Sequence, residues 1–289
     1  RYSLIGSDPF LVFKSKGGKA AVFEGGSWRD IKGDPLQILR ELLKRYTAAS
    51  DHRMPVTAGA FGYFAYDLGW QVDKPLMAVD DLGLPDCYLG FYDRLVIFDN
   101  HQGKMYLTST GLPEQGEGAI ARARQRLEEL EKMVYNCINW KYESKKSTQT
   151  EHKSDDCSKG IAMEPPEIYG HFTYDAYCAA VQRVKDYISA GEILQANLTQ
   201  RFSCRLQEKP WQLYLRLRGI NPAPFAAYLH YPELEIASAS PERFIKVNER
   251  NVETRPIKGT RPRGRDTLED MRLRTELLES KKDHAELAM

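Results

Sequence analysis

A short basic segment, residues 252–264, concentrates the residue types in this chain that can do chemistry. Its sequence is Val-Glu-Thr-Arg-Pro-Ile-Lys-Gly-Thr-Arg-Pro-Arg-Gly, with one lysine, three arginines, two glycines and two prolines. The glycines remove side chains where the backbone can approach a ligand closely, and the prolines stiffen the turns around them. These features predict that Lys258 is held on a rigid element in the wall of an active site.

Positive charge accumulates around Lys258. Residues 250–265 contain six cationic side chains and one acid, Glu253, so the segment carries a charge of +5 in a chain whose net charge is +1. The six are Arg250, Arg255, Lys258, Arg261, Arg263 and Arg265. Neighbouring positive charge disfavours the charged form of a lysine, which is one route to a nucleophilic amine near neutral pH. The segment therefore favours a small polyanionic ligand, and a solvated basic loop with an ordinary surface lysine is the alternative.

Composition excludes several other classes of protein. The chain has 289 residues, of which 42% are hydrophobic and 28% charged, as in ordinary globular proteins. A net charge of +1 argues against non-specific nucleic-acid binding. No apolar run reaches the roughly 18 residues of a membrane span, and no secretory signal begins the chain. Five cysteines without a C-x-x-C pair indicate neither a disulfide framework nor a zinc site, so we predict a cytoplasmic protein with no membrane partner.

The charge and polarity of the chain predict two parts joined by a linker. Residues 141–169 are rich in Lys, Asp, Glu, Ser and Thr and poor in aromatic residues, which is typical of a linker or disordered loop. The first part then covers residues 1–140 and the second residues 170–289. Both ends of the chain are abrupt, which predicts a piece of a longer protein.

Hydrophobic periodicity predicts an α/β fold of the α+β type, with mainly antiparallel strands and helices packed on them. One strand is predicted over 88–98, and another over 192–202 that presents Gln195 among its polar positions. Helices are predicted over 35–47 with Asp34 as the N-cap, over 113–135, and after the N-cap Thr173, the last with a buried apolar stripe. A single terminal helix over 268–289 places Asp283 and Glu286 on one face, where two carboxylates are either a solvated face or ligands of a hard metal such as magnesium.

Six blocks of the sequence, in the same order, resemble the chorismate-utilising enzymes, which include anthranilate synthase, aminodeoxychorismate synthase component I, isochorismate synthase and salicylate synthase. The blocks are residues 1–6, 191–202, 221–229, 237–244, 256–264 and 282–289. The resemblance covers nearly the whole chain and implies the chorismate-binding enzyme fold with its C-terminal part missing. It also implies that residues 1–289 alone are inactive.

Two positions distinguish the members of this family. Lys258 stands where anthranilate synthases typically have alanine and many aminodeoxychorismate synthases have lysine. Gln195 stands where the enzymes that add water to chorismate have a lysine general base, and an amide cannot deprotonate water. The resemblance therefore implies an aminodeoxychorismate synthase component I that makes 4-amino-4-deoxychorismate, a precursor of 4-aminobenzoate and folate. Anthranilate synthase component I is the alternative, and a polycarboxylate-binding module without turnover is the non-enzymatic one.

The same resemblance assigns roles to particular residues. Lys258 would attack chorismate, Glu242 would be the general acid and base, and Gln195, Gly259 and Thr260 would line the substrate. Glu286 would be a ligand of Mg²⁺ that holds a substrate carboxylate. Ammonia would come from a glutamine amidotransferase subunit or fused domain. A tryptophan pocket would be formed by Ser3, Asn221, Pro222 and Phe225.

Overall fold

A computed structural model describes residues 1–47, 54–69, 71, 79–147 and 166–288. The chain divides into two compact units, Arg1–Asp156 and Cys157–Met289. Within the described residues all strand pairs are antiparallel and helices accompany them, so the predicted α/β fold with mainly antiparallel strands is confirmed.

The first unit contains a five-stranded and a three-stranded antiparallel sheet. The five-stranded sheet has the order β4-β3-β2-β6-β5, and the three-stranded sheet has the order β1-β7-β8. The strands are β1 Tyr2–Ile5, β2 Leu11–Lys16, β3 Lys19–Glu24, β4 Ser27–Ile31, β5 Gly59–Phe64, β6 Cys87–Tyr92, β7 Arg94–Asp99 and β8 Lys104–Ser109. The helices with described bounds are α1 Pro35–Arg45 and α2 Gly116–Ser147, with a 3₁₀ turn at Tyr66–Gly69.

Alternating apolar residues build the core of this unit. In β2 the side chains of Leu11 and Phe13 are buried, and their neighbours along the strand are less so, as the period of two along a strand requires. Helix α1 covers this face with Leu39. Its predicted N-cap is confirmed, since the side chain of Asp34 accepts a hydrogen bond of 2.9 Å from the backbone N–H of Leu36.

The single strand predicted over 88–98 is two strands, because Asp93 interrupts it. Asp93 is fully buried, and its carboxylate accepts hydrogen bonds of 3.1 and 3.2 Å from Arg126 on α2. A buried charge is costly unless it has a partner, so the ion pair with Arg126 favours a break between β6 and β7 over one continuous strand. Helix α2 also runs further than the predicted end near Tyr135, since no proline and no glycine follows Gly118 before Ser147.

The second unit consists of three two-stranded antiparallel pairs and four helices among its described residues. The pairs are β9 Ile168–Gly170 with β10 Phe202–Cys204, β11 Phe225–His230 with β12 Glu235–Ser240, and β13 Arg243–Asn248 with β14 Asn251–Arg255. The helices are α3 Tyr174–Ser189, α4 Pro210–Ile220, α5 Thr267–Glu279 and α6 Lys281–Ala288.

Helix α3 begins as predicted but its apolar stripe is not buried. Thr173 caps the helix, because its hydroxyl accepts a hydrogen bond of 3.3 Å from the N–H of Ala176. No residue of α3 is buried, and the side chain of Tyr174 is 83% exposed. The prediction of a buried stripe is therefore wrong for the described residues, because periodicity shows which face is apolar and not whether another element covers it.

The predicted terminal helix is two helices that meet at Ser280. This residue has an extended backbone, with φ −67° and ψ 105°, and its hydroxyl accepts a hydrogen bond of 3.3 Å from the N–H of Asp283. Serine competes with the helical backbone in this way and is favoured at helix starts. Asp283 and Glu286 therefore lie together on the short helix α6.

Candidate active site

The hairpin β13–β14 brings the two predicted catalytic residues to one end of a strand pair. Its register pairs Asn248 with Asn251 at the turn and Arg243 with Arg255 at the open end. Glu242 directly precedes β13, and Pro256 directly follows β14. Since antiparallel pairing places the start of one strand beside the end of the next, Glu242 lies beside residues 256–264, which we call the lysine loop.

A hydrogen bond joins Glu242 to this loop. The carboxylate of Glu242 accepts a hydrogen bond of 3.1 Å from the backbone N–H of Ile257, the residue before Lys258. Glu242 and Lys258 are both exposed. No hydrogen bond or ion pair joins Lys258 to another residue in the part of the chain that the structure describes. The structure thus brings the predicted acid–base residue to the loop of the predicted nucleophile and leaves the lysine open to a reactant.

An ion-pair bridge closes the open end of the hairpin. Glu253 on β14 accepts a hydrogen bond of 2.6 Å from Arg243 on β13, and the same carboxylate oxygen lies 2.7 Å from Nε of Arg255. Opposite charges on neighbouring strands stabilise their pairing. This bridge fixes the strand ends that carry Glu242 and the lysine loop.

Most of the positive charge around Lys258 is neutralised. Arg255 pairs with Glu253, Arg261 with Glu276 and Asp283, Arg263 with Asp270, and Arg265 with Glu269. The local charge of +5 in residues 250–265 is therefore largely compensated by ion pairs among the described residues. The sequence segment contained one acid, whereas α5 and α6 bring the others to the loop from positions outside it.

Asp270 anchors the far end of the lysine loop. It accepts two hydrogen bonds of 2.7 Å from Arg263 and one of 2.8 Å from the backbone N–H of Gly264. The side-chain hydrogen bond from Arg263 and the backbone one from Gly264 lower the pKa of Asp270 to about 2. The loop is thereby tied to the first turn of α5.

Gly259 meets the last helix of the chain. It has a φ of +72°, and a Cβ atom there would lie 2.8 Å from Cβ and Cγ of Asp283. The side chain of Asp283 thus excludes any side chain at position 259. A substrate that approached the backbone here would be a second reason for glycine. The carbonyl of the next residue, Thr260, accepts a hydrogen bond of 2.9 Å from Arg261, and the Thr260 residue is exposed.

Helix α6 carries the residue predicted to hold magnesium. Oε1 of Glu286 lies 3.7 Å from Nζ of Lys282, and its side chain is 36% exposed. No group of three or more Asp, Glu, His or Cys residues that could hold a metal occurs among the described residues. A single open carboxylate still fits Mg²⁺, which commonly binds one or two carboxylates and takes its other ligands from water and substrate.

Gln195 is not on a strand. Residues 193–201 form neither helix nor strand, Gln195 is exposed, and the side chain of the neighbouring Leu194 is 87% exposed. The strand predicted over 192–202 is wrong except at Phe202, where β10 begins. A strand needs a partner for its backbone N–H and C=O groups, and β9 offers only three residues of pairing.

The residues of the predicted tryptophan pocket occur in both units. In the first unit, Ser3 lies on β1, and its hydroxyl accepts a hydrogen bond of 3.0 Å from Asn100. In the second unit, Asn221 ends α4 and Pro222 follows it, before Phe225 begins β11. The guanidinium carbon of Arg243 lies 5.4 Å from the centre of the Phe225 ring. An aromatic ring and amide groups in this turn are suited to contacts with an aromatic amino acid.

Comparison with known proteins identifies the class of fold first. A crystal structure of anthranilate synthase component I from Streptococcus pneumoniae TIGR4 is similar, with a TM-score of 0.76 at 23% sequence identity, over 99% of this chain and 58% of that chain. This likeness supports the fold that the sequence predicts.

The family follows from the sequence comparisons. The model of the chorismate binding enzyme family matches residues 3–289, and the chain belongs to this family. It is 33% identical over 291 residues to aminodeoxychorismate synthase component 1 of Bacillus subtilis (strain 168), covering 100% of this chain and 58% of the relative. It is also 33% identical over 294 residues to anthranilate synthase component 1 of Acetivibrio thermocellus, covering 100% and 57% respectively. The chain thus spans less than two thirds of the length of these relatives. The predicted family resemblance is confirmed.

No helix among the described residues is both long and apolar enough to cross a membrane.

Proposed function

We propose that this chain belongs to an aminodeoxychorismate synthase component I, which converts chorismate and ammonia to 4-amino-4-deoxychorismate and water. One observation carries the proposal: the hydrogen bond that holds the Glu242 carboxylate to the backbone beside Lys258. The carboxylate is thus bound to the backbone of the residue before Lys258, whose side chain is exposed, and an acid–base group with an amine is the pair that covalent amination of an allylic alcohol requires. The similarity to the Bacillus subtilis relative supports the same assignment.

The residues of the site account for each bond change. Nζ of Lys258 forms a bond to C2 of chorismate, both conjugated ring double bonds shift by one position, and the C4 hydroxyl leaves as water after taking a proton from Glu242. Ammonia then forms a bond to C4, and both double bonds shift back as the lysine amine leaves C2. Glu242 accepts the proton that the new ammonium group releases. The lysine and the carboxyl group are thereby restored at the end of the cycle.

The other site residues bind and orient the substrate. The open backbone at Gly259 and Thr260 and the amide of Gln195 are the groups we assign to substrate binding. Glu286 is the residue we assign to Mg²⁺, and the bound ion supplies a positive charge that holds a substrate carboxylate. Ammonia is supplied by a glutamine amidotransferase subunit or domain, and the product serves the formation of 4-aminobenzoate and folate.

Anthranilate synthase component I is the second candidate, because a relative of that name is equally similar at 33% identity. That reaction releases pyruvate and yields an aromatic amine. We test the two by incubating the whole protein with chorismate, Mg²⁺ and ammonium and identifying the products by mass. Aminodeoxychorismate without pyruvate supports the proposal. Anthranilate with pyruvate contradicts it, and unchanged chorismate favours a binding module.

Tryptophan binding is a further part of this proposal, with Asn221, Pro222 and Phe225 of the second unit as contact residues. Calorimetric titration of the whole protein with tryptophan should give a saturable heat, and replacement of Phe225 by Ala should reduce it. Absence of any heat in the unmodified protein would remove tryptophan from the account.

A further inference from the structure

Arg261 links the lysine loop to both terminal helices. Its Nε atom donates a hydrogen bond of 2.8 Å to Glu276 on α5, and its Nη2 atom lies 3.3 Å from Oδ2 of Asp283 on α6. The remaining terminal nitrogen donates a hydrogen bond of 2.9 Å to the carbonyl of Thr260, within the loop. All three nitrogens of the guanidinium group are therefore engaged, and the side chain is only 26% exposed.

The contact with Asp283 reaches the residue next to Lys258. Gly259 lies directly against the Asp283 side chain, at a spacing that excludes a Cβ atom. The carboxylate of Asp283 thus meets the lysine loop twice, at the Gly259 backbone and at the Arg261 guanidinium group. Its side chain is 14% exposed, and water screens such a partly buried pair less than a surface pair.

We propose that Arg261 is a positioning residue, which holds Lys258 at a fixed place relative to α6 and Glu286. The inference rests on the proposed function, in which Lys258 is the nucleophile and Glu286 binds Mg²⁺. Arginine suits this role because its planar guanidinium group can face carboxylates on two helices at once in fixed directions, whereas lysine presents one flexible charge. Displacement of a reacting group by about 1 Å can cost about 100-fold in rate, so a loosened loop has a measurable consequence.

Arg263 provides a matched control in the same loop. Its guanidinium group binds Asp270 through two hydrogen bonds of 2.7 Å, but its side chain is 90% exposed. Asp270 lies in the first turn of α5, so this pair does not reach α6. Removal of the Arg263 side chain also leaves the hydrogen bond from the Gly264 backbone to Asp270 in place.

The test compares Arg261→Met and Arg263→Met in the whole protein. Chorismate consumption is measured with Mg²⁺ and ammonium, whichever product forms, and thermal unfolding is measured alongside. We expect kcat to fall about 100-fold in R261M and to stay within about threefold of the unmodified protein in R263M. The KM for chorismate should change much less than kcat in R261M, because the side chain positions the nucleophile and does not bind substrate.

Hydrogen exchange provides a readout that does not require activity. Amides of residues 256–264 should exchange faster in R261M than in R263M, because only the former frees the loop from α6. If R261M does not fold, Glu276→Gln removes the charge of one acceptor and should lower kcat about tenfold, as loss of a charge-assisted hydrogen bond does.

The outcomes separate this inference from the proposed function. The positioning role is overturned if kcat of R261M stays within about threefold of the unmodified protein. It is also overturned if R261M and R263M lose kcat equally. Unmodified protein that consumes no chorismate contradicts the proposed function, and the exchange comparison alone then decides whether Arg261 holds the loop. Equal exchange of residues 256–264 in both variants overturns the inference in either case.

Discussion

The carboxylate of Glu242 and the backbone N–H of Ile257 are joined by a hydrogen bond of 3.1 Å, although fifteen residues separate them in the chain. The hairpin β13–β14 produces this contact, since Glu242 precedes its first strand and Ile257 follows its second. No described residue binds the second carboxylate oxygen, which is therefore open to a reactant. The hairpin therefore holds Glu242, the proposed acid–base residue, beside the lysine loop.

Replacement of Glu242 by Gln should abolish proton transfer by this residue while leaving its hydrogen bond to the loop in place. The amide oxygen of glutamine can still accept the hydrogen bond from Ile257, but an amide cannot donate and recover a proton in the reaction. We expect kcat for chorismate consumption to fall by about 10²–10⁴-fold. The melting temperature should remain close to that of the unmodified protein. A variant with full activity would show that Glu242 is not the general acid and base.

Replacement of Gly259 by Ala should disturb the site more than the same change at Gly191. Both residues have positive φ, of 72° and 74° respectively, but only at Gly259 does a Cβ atom meet another residue, Asp283. We expect G191A to lose about 1–2 kcal/mol of unfolding free energy from backbone strain alone. G259A should lose more and should also lose chorismate consumption. Urea unfolding and activity of the two variants check this, and equal losses would contradict the Asp283 contact.

The pairing of Asp270 predicts a specific pH dependence of stability. Its pKa is lowered from 3.8 to about 2 in the folded chain, so the folded state favours the ionised carboxylate. This contribution to stability is fully present above the unfolded pKa of 3.8 and is lost as the pH falls to about 2. The destabilisation caused by Asp270→Asn should therefore be constant above pH 4 and shrink below it. Thermal unfolding of both proteins between about pH 2 and 7 measures the difference, and a constant difference throughout would contradict the prediction.

Local sequence rules predicted where some of the helices begin. Asp34-Pro35 indicated the start of α1, and Thr173 indicated the start of α3. The predictive information was local in each of these cases.

The sequence predictions failed where a distant residue decides the structure. Asp93 divides one predicted strand because Arg126, from α2, binds it. The charge around Lys258 was overestimated because the carboxylates that neutralise it belong to α5 and α6. The sequence contained one hint that Glu276 and Asp283 both bind Arg261. They are seven positions apart, a spacing that places two residues on the same face of a helix.

The most direct test of the account is covalent trapping at Lys258. The whole protein and its Lys258→Ala variant are incubated with chorismate and Mg²⁺ in the absence of ammonia, then digested and analysed by mass. The account predicts that the peptide carrying residues 256–264 gains the mass of chorismate less one water, and that the variant gains nothing. Two results together would contradict the account: the peptide stays unmodified although the protein consumes chorismate once ammonium is added, and K258A consumes chorismate at the same rate.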